Sequence, residues 1–117
     1  PAELYDRFLS GQPLSAAERQ ALSPERADIT DIWLYLRAVL PFNQVLRCDL
    51  TNFCTAVAAY SKERHSTRRT LAGLAILQEL GFLTLRRDAA AVEIRLLPDS
   101  QPNPLENSRL YHSLRGD

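Results

Sequence analysis

The side chains of this sequence that could take part in chemistry are mostly cations, and they concentrate between residues 62 and 87. A guanidinium or ammonium group can pair with a phosphate oxygen, and a hydroxyl can donate a hydrogen bond to one. This set of residue types therefore predicts contact with a phosphate backbone. The candidate nucleic-acid-binding residues are Lys62, Arg64, Thr67, Arg68, Arg69, Arg86 and Arg87.

The sequence contains no residues at the spacing of a catalytic or metal site. His65 and His112 are isolated, with no second histidine at metal-ligand spacing and no acidic cluster beside them in the sequence. The serine-hydrolase elbow, the P-loop and the dinucleotide-binding glycine pattern are missing. Asp31 and Glu79 are interpreted as solvated helix charges. We therefore predict no catalytic residue, metal ligand or cofactor site in this chain.

The stretch from residue 66 to residue 85 would position most of the cations. Ser66 or Thr67 can cap the start of a helix, and Gly81 can end it in a left-handed conformation. Opposite the apolar side of this helix lies a strip that is predicted to be exposed, formed by Arg68, Ala72, Ala75 and Glu79. Two alanines would let a partner approach closely, so Ala72 and Ala75 are candidate partner-interface residues. The alternative is that they are surface alanines that favour the helix.

Beyond Gly81 the apolar residues alternate, which is typical of strands with one buried face. Leu83 and Leu85 belong to the first strand, and Val92 and Ile94 belong to the second. The segment between them, residues 87–91, is predicted to be a loop longer than a two-residue turn. Helix and hairpin together indicate a winged helix, in which the third helix enters the major groove of DNA and the hairpin contacts its backbone.

Two longer helices precede this element. Residues 29–40 carry apolar side chains on one side, and Leu34 points away from them, which makes it a third candidate partner-interface residue. Asp49 can cap a second helix that runs to about Tyr60. A short strand at residues 44–47 could pair with the hairpin.

The predicted fold class is α+β, mostly α and winged-helix-like, with three helices, a β-hairpin and short N-terminal helices. We predict an N-terminal helical appendage over residues 1–27, a winged-helix-like domain over 28–97, and a proline-containing tail with a short helical turn over 98–117. Within the appendage, Ser15 and Glu18 have capping-box spacing. Ser23 and Pro24 are interpreted as N-cap and first residue of the next helix.

The composition is that of an ordinary globular protein and limits the possible partners. The 117 residues include 14 basic and 14 acidic side chains, so no overall field attracts nucleic acid. No apolar run is long enough to cross a bilayer, and Cys48 and Cys54 lack metal-site spacing. We therefore expect a reducing, cytoplasmic location and no membrane partner. Because the sequence has no methionine, we expect it to be part of a longer protein.

Three short stretches of the sequence occur in an informative order. The first is PER at residues 24–26, which leads into Ile32 and Trp33; the second is LQELGFL at residues 77–83; the third is LENSRLY at residues 105–111. Together they resemble the C-terminal region of RecJ-type single-stranded-DNA-specific exonucleases, over about residues 24–112. The resemblance implies a parent enzyme that degrades single-stranded DNA from its 5′ end with manganese or magnesium. The catalytic motifs of that enzyme are not in this chain.

Three hypotheses for function follow. The leading one is a non-catalytic C-terminal accessory domain that helps a RecJ-like exonuclease to hold single-stranded DNA or to dock in DNA repair and recombination. The second is a protein-interaction module that presents Leu34, Ala72 and Ala75 to the parent catalytic core or to a single-strand-binding protein, which the zero net charge favours. The third is a winged-helix transcription regulator, which the few polar residues of the third helix disfavour.

Overall fold

The computed structural model describes residues 2–98 and 103–116. Its helices are α1 (Ala2–Leu9), α2 (Ala16–Leu22), α3 (Arg26–Val39), α4 (Leu50–Ser61), α5 (Thr67–Glu79) and α6 (Arg109–Arg115). Its strands are β1 (Val45–Asp49), β2 (Leu83–Asp88) and β3 (Ala91–Leu96), and a 3₁₀ turn at Leu105–Asn107 precedes α6. The predicted fold class is confirmed, with α3, α4 and α5 as the three helices and β2–β3 as the hairpin. No helix described here is long and apolar enough to span a membrane.

Side-chain caps set the starts of α4 and α5. Asp49 Oδ1 accepts a hydrogen bond from the backbone N–H of Thr51 at 2.8 Å, and Ser66 Oγ accepts one from Arg69 N at 3.1 Å. Gly81 follows α5 with φ of 92°. These three predictions are confirmed, because capping depends on residues that are close together in the chain.

The start of α3 differs from the prediction. Ser23 is still the C-cap of α2, and its N–H donates to Arg19 O. Glu25 is the N-cap of α3 and forms a reciprocal capping box with Asp28. The interpretation of Ser23 and Pro24 as N-cap and first helical residue is therefore wrong, because the backbone N–H of Ser23 already belongs to the preceding helix.

The three strands form one antiparallel sheet in the order β1-β3-β2. The short strand predicted at residues 44–47 exists as β1, which begins one residue later than expected. Asp88 pairs directly with Ala91, so only Ala89 and Ala90 connect β2 to β3. The predicted longer loop at residues 87–91 is therefore wrong. Ala89 adopts φ of 54°, which permits a two-residue turn without glycine, and the wing is consequently short.

Helix α5 is at the centre of the fold. All residues from Thr70 to Leu77 are buried, and α2, α3, α4, α6 and β2 pack around it. A Cβ placed on Gly73 would lie 2.8 Å from Ile32 Cδ1, so this glycine lets α3 pack closely without a shift of the isoleucine side chain. The N-terminal and C-terminal helices join the same core through Tyr5, Phe8, Leu22, Leu110 and Leu114. This enclosure determines which residues of α5 remain available to a partner.

Candidate nucleic-acid interface

The turn between α4 and α5 carries two of the candidate cations. Lys62 ends α4 in a left-handed conformation, and its N–H donates to Ala58 O. Lys62 and Arg64 are both exposed, and neither forms an ion pair with any residue that the structure describes. Both charges are therefore available to an anion in solution.

Thr67, Arg68 and Arg87 line one cleft between the first turn of α5 and the β2–β3 hairpin. The cleft has a volume of about 200 Å³, and Leu22 and Val92 contribute to its apolar wall. Arg68 is exposed and has no ion-pair partner among the described residues. The free backbone N–H groups at the start of α5 lie in the same turn and favour a negative charge. Three of the seven predicted residues are thus brought together.

Arg87 is partly neutralised inside the protein. Its Nη1 lies 3.3 Å from Asp6 Oδ1, and its guanidinium lies 4.8 Å from the centre of the Tyr5 ring. Burial raises the pKa of Tyr5 to about 12, against the opposing effect of Arg87, so the phenol stays protonated at neutral pH. Arg87 therefore holds α1 against the sheet, and Arg68 is the cation of this cleft that is free to bind a ligand.

Arg86 lies on the opposite face of the sheet from Arg87. Successive residues of a strand alternate between faces, and Leu83 and Leu85 turn inward with Arg87. Arg86 is exposed on the outer face, where it pairs in register with Glu93. The two neighbouring arginines predicted to act together therefore serve separate surfaces.

Arg69 also faces away from the Arg68 cleft. The two residues are adjacent in α5, so their side chains diverge by about 100° around the helix. Arg69 is half-buried and lines a different cleft, which it shares with Arg19 of α2 and Arg115 of α6. The structure thus divides the predicted basic turn between two sides of α5.

The candidate partner-interface residues differ in their exposure to solvent. Leu34 is 50% exposed, in agreement with the prediction that it points away from the apolar side of α3. Ala72 and Ala75 are 0% and 2% exposed, so the prediction of an exposed strip on α5 is wrong. The reason is that other helices of the same chain cover this side of α5.

Glu79 shows which helix covers its end of the strip. Its Oε1 accepts hydrogen bonds from Ser108 Oγ at 2.6 Å and from Leu110 N at 3.2 Å, at the start of α6. Glu79 is therefore an exposed charge, as predicted, that also caps the start of α6. The small side chains of Ala72 and Ala75 do permit close approach, but the approaching helices belong to this chain.

The covered strip leaves α5 little surface with which to read a DNA groove. The exposed residues of α5 are Arg68, Gln78 and Glu79, and Thr67 and Arg69 in its first turn are half-buried. Gln78 Oε1 accepts a hydrogen bond from Leu85 N at 2.6 Å, and Glu79 caps α6. A recognition helix needs a free face several residues long. In this fold only the first turn of α5 is accessible to nucleic acid.

His65, interpreted from the sequence as isolated, lies between two carboxylates of α3. Its side chain is 1% exposed, with Nδ1 3.4 Å from Asp28 Oδ1 and Nε2 3.4 Å from Asp31 Oδ2. Ser61 Oγ is 3.1 Å from Nε2, and the His65 carbonyl accepts a hydrogen bond from Cys54 Sγ. The interpretation of His65 as isolated is therefore wrong, whereas Asp31 keeps 23% of its side chain exposed to water while it faces the ring.

This histidine places the cation-bearing turn against α3, with its ring between two carboxylates of that helix. Asp28 and Asp31 are three residues apart, which places them on one face of the helix. The sequence therefore indicates two carboxylates on one face of α3, but it does not indicate that His65, more than 30 residues later, lies between them. Cys54, which donates to the His65 carbonyl, is a free and buried cysteine. The network positions the turn, and the turn positions Lys62 and Arg64.

Neither the geometry nor comparison with known proteins indicates a catalytic centre. Within residues 2–98 and 103–116, no group of three histidine, cysteine, aspartate or glutamate side chains is placed to hold a metal ion. No protein-family model matches the chain, and searches of curated proteins and of solved structures returned no match either. The resemblance to RecJ-type exonucleases stays a prediction.

Proposed function

We propose that this chain is a non-catalytic accessory domain that contacts the phosphate backbone of single-stranded DNA. The observation that supports this most is Arg68, an exposed guanidinium without an ion-pair partner among the described residues, beside the start of α5. Thr67 lines the same cleft, and the adjoining turn adds Lys62 and Arg64. These groups suit phosphate oxygens, and contacts with phosphate carry no sequence information of their own.

A single strand fits this surface better than a duplex does. The covered side of α5 and the two-residue hairpin turn offer little that could enter a groove or grip two backbones. A single strand is flexible enough to lay one or two phosphates against a short basic turn. In the proposal the parent is a RecJ-like exonuclease of DNA repair and recombination. It is cytoplasmic, and it carries its manganese or magnesium outside this chain.

Replacing Arg68 with alanine should weaken binding of a single-stranded oligonucleotide roughly fivefold, because one phosphate contact is lost. The slope of log affinity against log salt should become shallower by about 0.7, the value for one phosphate contact on a single strand. Fluorescence anisotropy of a labelled oligonucleotide at several salt concentrations measures both quantities. Arg95→Ala is the matched control, since Arg95 is exposed on the outer face of the sheet and has no ion-pair partner among the described residues.

Two outcomes would count against the proposal. One is the absence of oligonucleotide binding at low salt, where phosphate contacts are strongest. The other is an equal loss of affinity in Arg68→Ala and Arg95→Ala, which would indicate attraction by any surface cation. Metal-dependent nuclease activity of the pure chain would contradict its non-catalytic character.

A protein-interaction module is the second candidate. It is favoured by three exposed apolar side chains on α3 and the turn after it, Leu34, Val39 and Phe42, which are 50%, 48% and 40% exposed. The partner would be the parent catalytic core or a single-strand-binding protein. Calorimetric titration of either purified protein into this chain tests the candidate. Leu34→Glu should abolish such binding and leave oligonucleotide affinity unchanged.

A further inference from the structure

A second basic cleft lies on the other side of the first turn of α5, between α2, α5 and α6. It has a volume of about 310 Å³ and is lined by Arg19, Arg69 and Arg115, one from each helix. One carboxylate, that of Glu25, also lines it. Three positive charges against one negative charge leave a local excess of two positive charges.

The single carboxylate does little to neutralise these arginines. Glu25 Oε2 lies 3.4 Å from Arg115 Nη2, and the Glu25 side chain is 68% exposed, so water screens the pair. Arg69 is half-buried and has no ion-pair partner among the described residues. Arg19 is also half-buried, and its Nη1 donates only to a neutral group, the Leu14 carbonyl, at 3.0 Å. Arg19 and Arg69 thus face one opening as half-buried cations, and neither forms an ion pair with a described residue.

Two of the three guanidinium groups are held in position by other contacts. Arg115 lies 4.8 Å from the centre of the Tyr111 ring, and its Nη2 donates to Pro24 O at 3.2 Å. Arg19 is held by its bond to Leu14 O. Because these side chains are already ordered, binding an anion costs less conformational entropy. Arg69 makes no such contact and can close over the bound group.

We propose that this cleft binds a phosphate group, as inorganic phosphate or as part of a phosphoester. The planar guanidinium fork presents paired N–H groups that match phosphate oxygens, and three forks from three helices can share one tetrahedral anion. The site is separate from the Arg68 cleft. It does not depend on the proposed contact with single-stranded DNA.

The test is an NMR titration of the whole chain with inorganic phosphate, against sodium chloride at equal ionic strength. Saturable shifts are expected at the Nε–Hε signals of Arg19, Arg69 and Arg115, and none at Arg95. Arg69→Gln should weaken phosphate affinity at least tenfold, whereas Arg95→Gln should leave it unchanged. Circular dichroism checks that each variant is folded. If Arg69→Gln does not fold, Arg19→Gln takes its place.

Shifts that grow without saturation, or that are equally large at Arg95, would overturn the proposal, because they would reflect general screening of charge. A second titration, in which a single-stranded oligonucleotide competes with inorganic phosphate, distinguishes a free anion from a nucleic-acid phosphate as the ligand. Displacement that survives Arg68→Ala assigns the cleft to a nucleic-acid phosphate. Phosphate binding without displacement assigns it to a free anion, and this result stands even if the chain binds no DNA.

Discussion

Replacing His65 with leucine is expected to lower the free energy of unfolding by about 2–3 kcal/mol, although leucine has a similar volume. The ring is 1% exposed, and each of its nitrogens faces a carboxylate at 3.4 Å. Leucine would fill the space but would leave Asp28 and Asp31 facing an apolar group. The aspartates retain 18% and 23% of their exposure, and this access to water keeps the expected cost moderate.

Urea denaturation followed by the fluorescence of Trp33, the single tryptophan, measures this change. His65→Gln keeps one amide donor and should lose roughly half as much stability. A double-mutant cycle with Asp31→Asn isolates the contribution of the pair. If His65→Leu were as stable as the original protein, the ring would be a space-filling residue, and its two aspartates would be unrelated to it in energy.

In the proposed function the fixed turn matters because it carries two exposed cations that form no ion pair with a described residue. Lys62 and Arg64 project from a backbone that is fastened at His65 to α3 and at Cys54 to α4. We therefore expect His65→Leu to reduce oligonucleotide affinity as well, through the disorder of Lys62 and Arg64. This loss should be smaller than the loss in Arg68→Ala, since Arg68 is held by α5 itself.

The order of helices and strands could be predicted from the sequence because it depends on local signals. Caps at Asp49 and Ser66, the glycine at position 81 and the change of apolar period after it were sufficient. The length of the hairpin was not predictable in the same way. Ala89 and Ala90 form a two-residue turn with no glycine, so the usual signature of such a turn is missing.

The candidate site was predictable as a set of residues and not as a surface. Arg86 and Arg87 are adjacent in β2 and therefore lie on opposite faces of the sheet, and the inward direction of Leu85 shows that Arg87 is the one on the inner face. Arg68 and Arg69 separate for the corresponding reason on a helix. Which side of α5 is covered depends on α2 and α6, each seven residues long, whose contact with α5 leaves no periodic signal in α5.

Replacing Ala72 with glutamate is expected to lower the free energy of unfolding by about 4 kcal/mol or more, a large part of the roughly 5–15 kcal/mol that is ordinary for a domain. Ala72 is 0% exposed on a helix that five other elements surround, so the new carboxylate would be buried without a partner or would force a neighbouring element away. Ala72→Leu is a milder variant, in which overpacking should cost about 1–3 kcal/mol. Urea denaturation, or circular dichroism where a variant no longer folds, measures both.

Leu34→Glu is the matched control, because it introduces the same charge at the other candidate partner-interface site. Leu34 is 50% exposed on α3, and leucine and glutamate have similar helix propensities, so stability should change by no more than about 0.5 kcal/mol. A folded Ala72→Glu variant of undiminished stability would show that the element covering Ala72 leaves it readily. The side of α5 that carries Ala72 and Ala75 would then be open to an outside partner, and this side could again read a DNA groove. A large loss at Ala72 beside a negligible one at Leu34 would establish that α5 is the permanently enclosed core of the fold. A protein partner could then not use Ala72 and Ala75, whereas Leu34 on α3 would remain accessible to it.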